Sequence, residues 1–270
     1  MTTPLRPRSP HADLPVGSAD VLASRAARTW PQRAAFRAGT QTVTFAEFDR
    51  GVSRLASGLR RLLGGDGLPI VVSAAPGLDF PVALHAVLRS GNVATPVNPR
   101  LPAATFARLL AAVRPCAVVL DRGLYERVRP ALAEYAGVEQ VVLLDAPAGP
   151  HRLTCAELAA RGDLLVEPRD RDGHEPAVVT GDERLTHHQL KARAYATAAD
   201  EGLGARSVVL NALPSYRLDH LGAGLAAGAT QVLFGNPDPA AAVREAARVG
   251  ATHLLADHRR PVPHGEVLAS

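Results

Sequence analysis

The chain states one pattern twice, and this constrains its fold more than any single residue does. Residues 33–48, RAAFRAGTQTVTFAEF, return at 175–190 as EPAVVTGDERLTHHQL, so that Ala35, Gly39 and Thr44 recur as Ala177, Gly181 and Thr186 at a constant separation of 142 residues. The correspondence continues downstream. PIVVSAAPGLDF (69–80) returns as SVVLNALPSYRL (207–218), RSGNVATPVNPRLPAATF (89–106) as LAAGATQVLFGNPDPAAAV (225–243), and CAVVLDR (116–122) as THLLADH (252–258). A series of segments copied in the same order folds as a copied structural unit, so two similar lobes of one body are expected.

Within each copy the local signals read alike. Gly39-Thr40 and Gly181-Asp182 supply residues that tolerate the turn of a short hairpin. Thr44-Phe-Ala-Glu47 and Thr186-His-His-Gln189 then place a hydroxyl at a helix N-cap and an acceptor three residues on, where each can satisfy an orphan backbone N–H. Thr154-Cys-Ala-Glu157 repeats the arrangement between the copies. The apolar runs Ile70–Ser73 and Val208–Leu210 read as strands buried on both faces, ended by Pro76 and Pro214. A helix follows in each copy, closing at Gly91 and Gly228, then the strands Val93–Val97 and Thr230–Phe234, a helix starting near Pro102 or Pro239, and a last strand, Ala117–Leu120 or His253–Ala256. Strands alternating with helices imply right-handed crossovers and mostly parallel sheets with helices on both faces, an α/β fold of two pseudo-symmetric lobes. The expected division is a tail (1–17), a first lobe (18–123), a connector with one strand, Val138–Leu144, and one helix (124–172), a second lobe (173–260) and a tail (261–270).

Composition narrows the function. At 270 residues with 47% hydrophobic content the chain can bury a sizeable core. The net charge of +4 is interspersed rather than blocked, and with six Phe, four Tyr and one Trp there is little to stack on bases, so no nucleic-acid partner is expected. Cys116 and Cys155 lie in no metal or redox spacing. No apolar run reaches the roughly 18–20 residues of a membrane span, and MTTPLRPRSPHADLP lacks the apolar stretch of a signal peptide, so the expectation is a cytoplasmic protein with no membrane partner. Among 30 Lys plus Arg only Lys191 is a lysine, so any chemistry that needs a mobile ammonium must use it. The adjacent His187 and His188 point about 100° apart on a helix and read as a capping or solvent-facing pair, not metal ligands. Trp30, beside Pro31, reads as core packing, and Gly64-Gly65-Asp66-Gly67 as a turn.

The run DFPVALHAVLRSGNVATPVNPRLPAATFARLLAAVRPCAVVLD, with Gly91, Pro96, Asn98 and Pro99 in a Gly-x-x-x-x-Pro-x-Asn-Pro turn, resembles the first lobe of the adenylate-forming superfamily of acyl-CoA synthetases, peptide-synthetase adenylation domains and luciferases. The likeness covers about residues 18–257 and implies two pseudo-symmetric lobes. It also implies that the second lobe opens with a phosphate loop of the form T-S-G-T-T-G-x-P-K before a helix start resembling T-H-x-x-L. Here the sequence is AVVTGDERLTHHQL: Thr180 and Gly181 stand for the beginning of the loop and Thr186–Leu190 for the helix start, with the glycine and hydroxyl cradle and its lysine missing. Glycine-rich backbone wraps phosphate because it permits close approach, so this departure falls on the element that would hold triphosphate. The magnesium-binding acid, the ribose-binding aspartate, the hinge and the small domain with its lysine, all implied by the resemblance, have no counterpart here.

The resulting expectation is a degenerate, non-catalytic, truncated relative that acts as a protein-interaction or regulatory partner, paired with itself or with a related full-length enzyme. Two alternatives stand beside it: an acyl- or aryl-CoA ligase fragment completed by a second polypeptide, and an acyl-CoA or adenylate sensor. No catalytic residue, cofactor or metal is expected. The vestigial pocket candidates are Thr180, Gly181, Pro214 and His220, the last two from a family-like L-P-x-x-H segment in which Arg217 holds the histidine's place.

Overall fold

The computed structural model describes residues 14–144, 153–163, 173–180, 183–212, 218–236 and 238–255. Helix α1 (Val21–Thr29) precedes the first copy, which runs β1 (Ala34–Ala38), β2 (Gln41–Thr44), α2 (Phe45–Leu63), β3 (Pro69–Ser73), α3 (Asp79–Ser90), β4 (Val93–Val97), α4 (Ala103–Val113) and β5 (Ala117–Leu120). A connector supplies α5 (Arg122–Glu134), β6 (Gln140–Leu143), β7 (Leu153–Thr154) and α6 (Cys155–Ala160). The second copy repeats the series as β8 (Pro176–Thr180), β9 (Glu183–Thr186), α7 (His187–Asp200), β10 (Val208–Asn211), α8 (Leu218–Ala227), β11 (Thr230–Leu233), α9 (Pro239–Val249) and β12 (His253–Leu255). The three expected capping boxes form at Thr44–Glu47, Thr154–Glu157 and Thr186–Gln189. Gly91 and Gly228 adopt left-handed φ values of 91° and 69° after α3 and α8. Pro102 stands one position earlier than expected, as the N-cap of α4.

Two sheets form, ordered β12-β10-β11-β1-β2 and β7-β6-β5-β3-β4-β8-β9. The copies exchange their hairpins. β1 of the first copy pairs in parallel with β11 of the second (Phe36↔Gln231), and β8 of the second pairs with β4 of the first (Ala94↔Val178). The sequence boundaries at 18–123 and 173–260 therefore follow the repeat, whereas the sheets cross it. The physical reason is edge satisfaction: β4 and β11 would each leave an open row of amides, and the other copy's hairpin covers it.

The exchange makes one shared core. Strand residues of the larger sheet alternate between two environments, Ile70 and Val72 joining the central cluster while Val71, Val118 and Leu120 face α4 and α5. In the smaller sheet Phe36 and Leu233 face the same centre, whereas Leu210 and Val232 pack on α9. Helices from both copies fill the middle. α2 illustrates why: Phe45, Phe48, Val52, Leu55, Ala56 and Leu59 lie on one helical face and all are buried. Each large apolar side chain so buried contributes about 1.5–3 kcal/mol.

A polar network ties the N-terminal segment to the first copy. Arg89, 1% exposed, donates from Nε to Asp20 Oδ2 at 2.7 Å, from Nη2 to Asp49 Oδ1 at 2.7 Å and from Nη1 to Ser53 Oγ at 2.6 Å. Burial alone would lower the pKa of this guanidinium, but the charges of Asp20 and Asp49 outweigh it and raise the pKa. The same N-terminal segment is gripped from α7. The backbone N–H of Ala19 donates to His187 Nδ1 at 3.1 Å, and Lys191 Nζ donates to the carbonyls of Pro15 and Gly17 at 2.5 Å each. His187 lies in the capping segment as expected but is fully buried, which corrects the expectation that it faces solvent; the segment before α1 covers it.

Candidate functional site

In an open parallel α/β sheet, ligands enter at the carboxyl ends of the strands. Here a cavity of about 300 Å³ lies at that position, lined by Ala74 after β3, by Pro96, Val97 and Asn98 at the end of β4, and by Thr180 at the end of β8. Glu183 and Leu185 of β9, Arg193 of α7, and Leu218 and Asp219 at the start of α8 complete it. The exchange of hairpins is what brings these groups together, since β8 carries Thr180 to the side of β4.

The hairpin closing this cavity decides what it can hold. In β8–β9 the register is Pro176↔Thr186, Val178↔Leu185, Val179↔Arg184 and Thr180↔Glu183. In β1–β2 it is Ala34↔Thr44, Phe36↔Val43, Arg37↔Thr42 and Ala38↔Gln41, with an irregularity at the same place. Every pair in one hairpin maps onto the other at the repeat separation of 142 residues. Two residues, 181 and 182, join Thr180 to Glu183, as two join Ala38 to Gln41. That leaves no length of backbone to wrap a chain of phosphates.

Electrostatics point the same way. Arg193 donates from Nη2 to Glu183 Oε1, and this hydrogen bond, with the charges of Glu183 and Asp219, raises the guanidinium's pKa. Both partners are about half exposed, 42% and 49%, so the pair is worth little as stability. The cation is nonetheless committed to a carboxylate, and a second carboxylate, Asp219, lines the same space. Among the described lining residues two carboxylates stand against one guanidinium, a balance that disfavours a polyanion. The described residues do not fit a nucleotide triphosphate.

Asn98 has a structural task. Its Oδ1 accepts from the Arg100 backbone N–H at 2.8 Å, as Asn236 Oδ1 accepts from Asp238 at 3.0 Å in the other copy. The asparagine thus braces the backbone two residues on in both copies. Lys191 lies outside the cavity lining, and burial lowers its pKa against the opposing charge of Asp20. Among the described residues no group of three or more His, Cys, Asp or Glu is placed to hold a metal, and no helix is long and apolar enough to cross a membrane.

Of the pocket candidates read from sequence, Thr180 lines the cavity, whereas Gly181 and Pro214 lie outside the described residues. His220 is buried within α8 at 3% exposure and is not among the lining residues, although its neighbour Asp219 is. No sequence motif points to Glu183 or Arg193. The signal for both was present as a difference between the copies: they stand where the first copy has Gln41 and Gly51.

The profile of the family described as AMP-binding enzyme matches residues 23–257. The chain belongs to this family. Salicyl-AMP ligase / salicyl-S-ArCP synthetase of Mycobacterium tuberculosis is 30% identical over 258 residues, covering 86% of this chain and 45% of that protein. A 4-coumarate–CoA ligase-like protein of Oryza sativa subsp. japonica is 28% identical over 251 residues, covering 80% of this chain and 42% of its own. Among solved structures, apo MbtA of Mycobacterium smegmatis superposes with a TM-score of 0.79 at 25% identity, covering 89% of this chain and 48% of that one. A long-chain-fatty-acid-CoA ligase from Archaeoglobus fulgidus gives a TM-score of 0.80 at 20% identity over 90% of this chain, a likeness of fold. The chain spans about half the length of the relatives it matches.

Proposed function

We propose that this AMP-binding-family chain does not adenylate a carboxylate by itself and acts instead through contact with a protein, either a second copy of itself or a full-length relative. The observation that carries the reading is the β8–β9 hairpin, which shares the register and two-residue connection of its counterpart β1–β2 and presents Glu183 where the family resemblance implies a phosphate-wrapping loop. Adenylation must stabilise charge on a phosphoryl group in transit, through donors and cations aimed at it. Among the described lining residues the one guanidinium, that of Arg193, is engaged by Glu183.

A contact role draws support from the sheets. Strand β5 is flanked by β3 and β6, whereas its counterpart β12 has one neighbour, β10, among the described residues. A parallel edge with a single described neighbour is a natural place for another chain. A second reading, an aryl- or acyl-activating unit completed by another polypeptide, is favoured by the 30% identity to a salicyl-AMP ligase.

Carboxylate-dependent pyrophosphate exchange separates the two. The isolated chain should show none with a panel of aryl and acyl acids, and adding a co-purifying partner should leave it inactive. Exchange by the chain alone overturns the proposal, and exchange only with the partner present establishes the second reading in its place.

A further inference from the structure

A separate cavity of about 200 Å³ lies between α1, α7 and α8 and shares no lining residue with the one at the strand ends. Its apolar lining includes Leu22 and Leu225, both buried, and the half-buried rings of Trp30 and Tyr195 flank this surface. Arg25 and Thr29, one helical turn apart on α1, form the exposed rim.

The aromatic wall is built in advance. Gly228 has φ of +69°, and a Cβ added there would come within 2.5 Å of the Trp30 ring, so glycine is what lets the indole lie against the backbone. The indole also packs near Phe45, with ring centroids 6.1 Å apart. At the rim, Thr29 Oγ1 donates to the Arg25 carbonyl at 2.9 Å, whereas the Arg25 guanidinium makes no hydrogen bond or ion pair among the described residues. The Tyr195 hydroxyl is likewise without a protein partner there. No acidic residue is among the described residues that line the cavity.

We propose that this cavity binds a small aromatic carboxylate, its ring against Trp30 and Tyr195 and its carboxylate on Arg25. The volume lies below the roughly 300–1,000 Å³ of a site for a drug-sized ligand, which limits the occupant to about a single ring. Flat faces over an apolar floor favour a planar ring. A guanidinium with all its donors available matches a carboxylate's two oxygens. This inference does not depend on the reading of the strand-end cavity, and it holds whether or not the chain adenylates anything.

Trp30 is the only tryptophan, so the emission of the chain reports on the surroundings of this indole. Titration of the full chain with benzoate should give a saturable change. Benzamide, which keeps the ring and loses the charge, should bind about fivefold or more weakly, the loss expected of one charge-assisted contact at a partly exposed site. Cyclohexanecarboxylate should also bind more weakly, having lost the planar ring. Arg25→Gln should reduce benzoate affinity to the benzamide level, while Arg28→Gln, exposed on the same helix and outside the lining, should leave it unchanged. A response that never saturates overturns the proposal. So does equal binding of benzamide and benzoate by the unaltered protein, a comparison that requires no variant to fold.

Discussion

Removing the Arg89 guanidinium should be among the most damaging single changes to this frame, and its size can be worked from the contacts. Arg89→Met keeps the apolar stem and deletes the hydrogen bonds to Asp20, Asp49 and Ser53. Asp20 is then stranded: it is fully buried, and its Oδ1 already has no hydrogen-bond partner. Stripping one partner from a buried ion pair costs about 3–5 kcal/mol. Asp49, 27% exposed, can rehydrate and adds at most about 1 kcal/mol. The expected loss is therefore about 4 kcal/mol, or about 10 °C in melting temperature for a chain of this size. Urea unfolding followed by circular dichroism, run on Arg89→Met, Asp20→Leu and the double variant, measures it. The double variant should be more stable than Arg89→Met, because both charges leave together. A loss below about 1 kcal/mol in Arg89→Met, or a double variant as weak as the two single losses combined, would refute the reasoning.

Two further outcomes follow from the core. Burial lowers the pKa of His85 to about 4, with the charge of Asp20 partly opposing, while the unfolded side chain titrates at about 6.5. The unfolded state therefore takes up the proton first, and stability that is full above about pH 6.5 is lost as the pH falls toward 4, by about 3 kcal/mol from this group. Urea midpoints from pH 7 to 4.5 should fall more steeply for the native protein than for His85→Leu; parallel slopes sink the claim. At Gly58 an added Cβ would lie 2.5 Å from the Leu158 carbonyl oxygen, so Gly58→Ala must push α6 off α2, at about 1–3 kcal/mol. Gly51→Ala on the same helix meets only Val82 at 3.7 Å and should be neutral or stabilising in the same thermal melt; the opposite order contradicts the packing described.

What the sequence made legible was local. The capping boxes, the glycine stops after α3 and α8, and the alternation of strand and helix depend on residues within a turn or two of each other, and all are found. The hairpin exchange was not legible, because β1 pairs with β11 nearly two hundred positions away and nothing in either strand names its partner. Arg89 reads locally as a basic residue in the last turn of a helix; that Asp20 waits for it depends on how α3 packs. His187 misled for a related reason, since its burial comes from the segment before α1. At the site, Thr180 was visible as a remnant of a motif, whereas Glu183 and Arg193 become visible only when the two copies are compared position by position.

The account stands or falls on whether the second hairpin has kept any hold on phosphate. Calorimetric titration of the purified chain with ATP and magnesium tests this directly. The account predicts no saturable heat, corresponding to a Kd no tighter than about 1 mM, the level of a contact worth about 4 kcal/mol. Stoichiometric, magnesium-dependent binding in the micromolar range would contradict it.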